Sequence, residues 1–242
     1  TRWLPEEEHG WRFNPDFLEQ AIQPNTRLVL VNFPHNPTGA QPSQADFLRM
    51  VEICRRHNLM LFSDEMYRLL EYNPAHRLPA ACEVYEKAVS LFGMSKTFGL
   101  AGLRIGWLVT QDADALARMA AFKDYTTICS SAPSEILSII ALRARGQIVS
   151  RHLARIERNL KLLDSFFDEF SGRFQWIKPL AGTIAFPRLT AGAGALDFCQ
   201  RVVSEANIML LPSTVYDYDD AHYRIGFGRE NLPEALERLS GY

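Results

Sequence analysis

The sequence is poor in cysteine, in uninterrupted apolar stretches and in any excess of charge. Its four cysteines, Cys54, Cys82, Cys129 and Cys199, lie far apart, with no CxxC pair and no clustering with histidine. That excludes a disulfide scaffold and a Cys/His metal module, so no metal site is expected and a reduced, cytoplasmic setting fits. No apolar run is long enough to span a membrane, and TRWLPEEEHG at the start has neither a basic n-region nor a hydrophobic h-region. A soluble, unsecreted chain is therefore expected. Lys plus Arg (26) nearly balance Asp plus Glu (28). No net field draws nucleic acid or an anionic membrane, and neither is an expected partner. Internal repeats and low-complexity tracts are also lacking.

What is present is ample material for a core: 242 residues, 47% of them apolar, between one and two domains on length. The chain opens on Thr1, and the expectation is a segment of something longer. RLVLVNF (27–33) reads as a β-rich run ending at the turn cluster PHNPTG. From Ser43, SQADFLRMVEICRRHN has helical apolar spacing, and a second buried strand follows at 59–63. Strand, helix, strand is the βαβ unit of a parallel sheet. A third strand is expected at 88–92 and a fourth at 103–110, too close together for a parallel crossover. From 112 to about 170 the pattern is helical, interrupted near 130–133 and at Gly146, and 148–170 is long enough to link two lobes. After Gly172 come short strands in FQWIKPLAGTIAFPRL, a helix near 196–206, strands IMLLP and YRIGFG, and a last helix from Pro233. The reading is a first domain over 1–147 and a linking helix with a smaller α+β domain over 148–242.

Several polar residues stand where strands of an open sheet should end, the usual place for ligands. They are Asn36 in NPTG, Asp64 and Tyr67 in SDEMY, Lys96 in MSK and Arg104 in GLR. Each alone has a plain structural alternative. NPTG is a good β-turn, Asp64 could cap a helix, Tyr67 could edge a core, Lys96 could be a solvated loop charge and Arg104 could pair on the surface. As an ordered set they are less easily accidental.

In that order and spacing, "NFPHNPTGA", "LFSDEMYRLL", "MSKTFGLAGLRIGW" and "YRIGFGREN" make the chain resemble the fold-type I, class I/II aminotransferases, across essentially its whole length. The resemblance implies an α/β fold: a three-layer mixed, mostly parallel sheet in a transferase-like major domain, with a smaller C-terminal α+β domain. It implies pyridoxal 5′-phosphate as cofactor, held as a Schiff base on Lys96, which also shuttles the substrate's α-proton. Asp64 would face the pyridine nitrogen, Asn36 and Tyr67 the ring's 3′ oxygen, and Arg104, with Ser95 adding a hydroxyl, the phosphate. Arg224 would clamp the substrate α-carboxylate, its alternative being a strand-edge charge. Ping-pong transfer between an amino acid and a 2-oxo acid, in a homodimer, is what the family resemblance predicts.

The match departs at Gly93, where many relatives have a phosphate-binding serine. Nothing before residue 27 resembles the family's glycine-rich phosphate loop or its ring-stacking aromatic. An exposed hydrophobic face is expected where further sheet strands would lie. Specificity is expected to depend partly on the loops near 125–131 and 212–218. Other readings remain: a lyase or cyclase acting at Cβ or Cγ with the same residues, a non-catalytic cofactor-sensing domain of a transcription regulator, or an unrelated α/β binding domain.

Overall fold

The computed structural model describes residues 1–192 and 194–242, which fall into two compact units. One comprises Thr1–Pro34 with Ala40–Val149, the other His35–Gly39 with Ser150–Tyr242. The NPTG turn thus clusters with the C-terminal unit, whereas sequence order put it in the first domain.

The first unit is built on a four-stranded sheet. Helix α1 (Pro15–Ala21) is capped by Asn14, whose side chain accepts from the Asp16 N–H. Strand β1 (Leu28–Asn32) leads to α2 (Gln44–Arg56), capped by Ser43 through the Asp46 N–H, and then to β2 (Met60–Asp64). A short helix α3 (Ala81–Val84) precedes β3 (Ala88–Gly93), and β4 (Gly106–Thr110) follows. The order is β1-β2-β3-β4. β1 and β3 run parallel to β2, while β4 returns antiparallel to β3, as the short connection requires. Helices α4 (Ala113–Thr126) and α5 (Ala132–Arg143) complete the unit, and α6 (Arg145–Glu169) runs out of it. The break expected at Gly146 falls at Ala144, because Gly146 is absorbed into the first turn of α6.

The core lies under α2, where Met50, Ile53, Cys54 and Leu61 are fully enclosed. Burial alternates along β1: Val29 and Val31 face inward, while Leu28 and Leu30 are exposed. Leu108 and Val109 on β4, Phe122 on α4, and Ile136 and Ile140 on α5 are also exposed, so the expected apolar surface is extensive.

The second unit contains the remainder of α6 and a helical layer against small sheets. Strands β5 (Phe174–Gln175), β6 (Ile184–Ala185) and β7 (Arg188–Leu189) are only two residues each. Helix α7 (Ala195–Ala206), β8 (Leu211–Pro212), β9 (Tyr223–Gly226) and α8 (Leu232–Leu239) follow. The strand expected over IMLLP shrinks to its last two residues, and the loop expected at 212–218 holds a 3₁₀ turn at Ser213–Tyr216. Order in the main sheet is β6-β9-β8, antiparallel throughout. An aromatic cluster of Phe166, Phe167, Phe174 and Tyr223 fills the space beneath it.

Among the described residues no helix is long and apolar enough to cross a membrane. Nor does any group of His, Cys, Asp and Glu there have an arrangement able to hold a metal ion.

Candidate active site

Asp64 is the last residue of β2 and is half-buried. Its Oδ1 accepts from the Met66 N–H at 3.1 Å, and the Asn32 amide donates to its backbone carbonyl at 3.0 Å. Burial raises the carboxyl pKa above its ordinary value, while the Met66 N–H, the Asn32 side chain and the charge of Lys96 act against the rise. A carboxylate so placed gains from a second cation. Tyr67, buried in the following turn, presents its ring to Lys96, whose Nζ stands 5.9 Å from the ring centroid.

Lys96 itself is exposed, and its neighbours explain why it is held there. Met94 and Phe98, two residues to either side, are buried against Ala141 with Leu100, Ile105 and Trp107. The Met94 N–H donates to Ile105 O at 3.0 Å and the Leu100 N–H to Met94 O at 2.9 Å. Lys96 and Arg104 therefore stand near the two feet of one closed loop. The Thr97 hydroxyl sits within 3.0 Å of Met66 O and 2.6 Å of Arg68 O, tying the lysine loop to the turn that carries Asp64 and Tyr67. Arg104 adopts φ 55°, unusual for a residue with a side chain, and its guanidinium donates to Ala101 O at 3.0 Å. Ser95 is half-buried in the same loop.

Gly93 has a packing reason. A Cβ there would meet Met66 Cε and Sδ at 3.0 Å and Ile105 O at 3.1 Å. Met66 fills the space where a longer side chain would stand.

In the second unit, Arg224 Nη1 donates to Asn36 Oδ1 at 3.1 Å. Asn36 sits in a turn closed by the Gly39 N–H to His35 O at 2.7 Å. Gly39, at φ 67°, lies so near Pro179 that a Cβ would approach the proline Cβ to 2.4 Å. Its carbonyl accepts from the Leu180 and Ala181 N–H groups at 2.9 and 3.1 Å. The Tyr216 hydroxyl is buried, which pushes its pKa up, against the opposing charge and hydrogen bond of Arg224.

The structure thus brings Asp64, Tyr67 and Lys96 together in one unit, with Arg104 and Ser95 on the lysine loop, and joins Asn36 to Arg224 in the other. Three positioning residues escaped the sequence reading. Thr97 signalled itself only by adjacency to the lysine. Glu65 is buried and holds its turn through the Ala81 N–H at 3.0 Å and Arg68 at 3.1 Å; a second acid beside Asp64 was its cue. Asn159, buried in α6, donates to Phe227 O at 2.6 Å and Arg229 O at 2.8 Å, a role that no local pattern announces.

The donor set in the first unit suits pyridoxal phosphate: an exposed amine, a half-buried carboxylate able to pair with a cation, a phenol and a guanidinium.

Comparison with known proteins agrees. Residues 3–239 match the family described as aminotransferase class I and II. Aromatic-amino-acid aminotransferase 2 of Thermococcus litoralis is 27% identical over 241 residues, covering 96% of this chain and 61% of the relative. Capreomycidine synthase of Streptomyces vinaceus is also 27% identical over 241 residues, covering 98% of this chain and 61% of that protein. A crystal structure of a PLP-dependent aminotransferase from Streptococcus suis superposes with a TM-score of 0.91 at 30% identity, covering 99% of this chain and 63% of the other. The chain spans about three fifths of the length of the curated relatives it matches.

Proposed function

The chain belongs to the aminotransferase class I and II family, and on that premise we propose that the protein moves an amino group from an amino acid to a 2-oxo acid, using pyridoxal 5′-phosphate. The observation that carries this reading is the exposed Lys96 amine, held over the Tyr67 ring by buried neighbours and within electrostatic reach of the half-buried Asp64. When bound, the cofactor supplies an electrophilic carbonyl and a cationic ring able to take up the electron pair left by a departing α-proton. Lys96 Nζ would hold the cofactor at that carbonyl, and the same amine would carry the substrate's α-proton. The Asp64 carboxylate would hold the protonated ring nitrogen, whose charge would favour the ionised acid against burial. The Tyr67 phenol would donate to the ring oxygen, a role also assigned to the Asn36 amide. Arg104, with Ser95, would hold the phosphate; Arg224, already steadied by Asn36, would pair with the substrate α-carboxylate.

Incubation with pyridoxal phosphate, borohydride reduction and peptide mass spectrometry test the assignment. A visible absorbance band with the adduct on Lys96, followed by ping-pong kinetics with an amino donor and a 2-oxo acid, supports it. Adducts spread over surface lysines overturn it. The reading includes a homodimer, which the exposed side chains of Phe122, Ile136 and Ile140 favour and light scattering tests.

A second reading has its own observation: a relative as similar as the first carries the name of a synthase. Reaction at Cβ or Cγ would use the same lysine and carboxylate. Product analysis with a β-substituted amino acid separates the two, since amino transfer leaves the β-substituent in place.

A further inference from the structure

The turn that follows Tyr67 contains a strained residue. Leu69 adopts φ 75°, in the left-handed region that a residue with a Cβ rarely enters. The chain has to reverse there: Tyr67 and Leu70 are both buried, and the Leu70 N–H donates to Tyr67 O at 3.1 Å, closing a four-residue turn with Leu69 in its third position. A positive φ at that position is ordinarily left to glycine or asparagine. With leucine in the place, other contacts must offset the strain.

The central peptide of the turn, between Arg68 and Leu69, is gripped at both ends. Its carbonyl, Arg68 O, lies 2.6 Å from the Thr97 hydroxyl, and its N–H, on Leu69, donates to Glu71 Oε1 at 3.2 Å. The orientation of this peptide is what separates a turn with positive φ at the third position from one without. Glu71 is only 2% exposed, and its other carboxylate oxygen accepts from Arg77 Nε at 2.9 Å, which offsets the cost of burying the charge. Were the peptide to flip, Arg68 O would turn away from Thr97. The hydroxyl would keep only its contact with Met66 O, at 3.0 Å, and one of the ties between the lysine loop and the Tyr67 turn would be lost.

We propose that Glu71 is a positioning residue for Lys96. It fixes the peptide between Arg68 and Leu69 with its carbonyl toward Thr97, and Thr97 in turn seats the Lys96 amine over the Tyr67 ring. The inference rests on the cofactor role given to Lys96 above.

The affinity for pyridoxal phosphate, followed by absorbance, tests this without turnover. Glu71→Leu combined with Arg77→Met removes the clamp and strands no buried charge. That variant and Thr97→Val should each weaken the cofactor about 3- to 10-fold, the range for one hydrogen bond. Because both act on one contact, the paired change should add less than about 2-fold in the Thr97→Val background. Adding Leu69→Gly should recover most of the loss, since glycine holds a positive φ without a clamp. Arg77→Gln, which leaves Glu71 on the Leu69 N–H, should lower the melting temperature and spare the affinity. Losses that multiply with Thr97→Val, no recovery with Leu69→Gly, or an equal loss in Arg77→Gln overturn the proposal. Failure of the functional reading would look different: the unsubstituted protein would form no adduct on Lys96, and the proposal would fall with it.

Discussion

In the first unit the candidate site stands on parallel strands of five and six residues, with Asp64 at the end of β2 and Lys96 just beyond β3. In the second, Asn36 and Arg224 meet across 188 residues of sequence, on a turn and a strand of four residues. Local strand geometry fixes the first pair; only closure of the chain makes the second. The two regions should therefore fail differently when disturbed.

The largest expected difference is chemical. Lys96→Ala should lower amino transfer by about 10²- to 10⁴-fold or more and abolish borohydride fixation. Its melting temperature should not move, because Lys96 is exposed. Asn36→Ala should act through Arg224, raising KM for the amino acid more than it lowers kcat. An unchanged KM would break the link between the two residues.

Next comes cohesion. Leu61 on β2 and Leu163 on α6 are each fully buried, one per unit. Truncating either to alanine should cost about 2–5 kcal/mol. Trp176, stacked on Phe167 at 4.7 Å, is the one tryptophan of the second unit's sequence. Its fluorescence in urea should report Leu163→Ala first. Identical shifts at every probe for both variants would show one cooperative unit instead of two.

Glycine substitutions sharpen the contrast further. Gly39→Ala places a Cβ 2.4 Å from that of Pro179 at a positive φ, against rigid atoms. Gly93→Ala meets the flexible end of Met66 at 3.0 Å. Thermal unfolding should find Gly93→Ala at about 1 kcal/mol and Gly39→Ala nearer 3 kcal/mol. The reverse order would mean that the NPTG turn yields more easily than its packing indicates.

The last contrast is in pH dependence, whose sign differs between the units. Burial lowers the His35 pKa to about 4 from an ordinary 6.5. The stability this represents is present above 6.5 and lost as pH falls toward 4. Asp64 is shifted the other way, upward from 3.8 by burial, so its contribution is present below 3.8 and lost as pH rises through the folded value. Relative to His35→Gln, the protein should weaken on acidification; relative to Asp64→Asn, it should weaken on the way back to neutrality. Melting curves over that range check both signs, and a shared sign would contradict one of the two burial effects.

Much of the first unit was legible because its signals are local. Alternating Val29 and Val31, the Ser43 cap and the short β3–β4 connection each act within a few residues. The second unit was read less well. IMLLP has strand composition, yet only Leu211–Pro212 pairs, since a partner must be supplied by β9 from elsewhere in the chain. Gly146 looked like a helix break and is a first-turn residue instead, where a missing side chain costs little.

By itself the sequence determined the residue types of the site, the family, and the order in which strands and helices arise, because periodicity, caps and turn residues act at short range. Tertiary structure alone decided that the NPTG turn clusters with the C-terminal unit, that Asn36 holds Arg224, that Asn159 fixes the backbone of Arg229, and that Met66 occupies the space beside Gly93. Those are contacts between residues distant in sequence, set by how closely two backbones approach, and no local pattern encodes that distance.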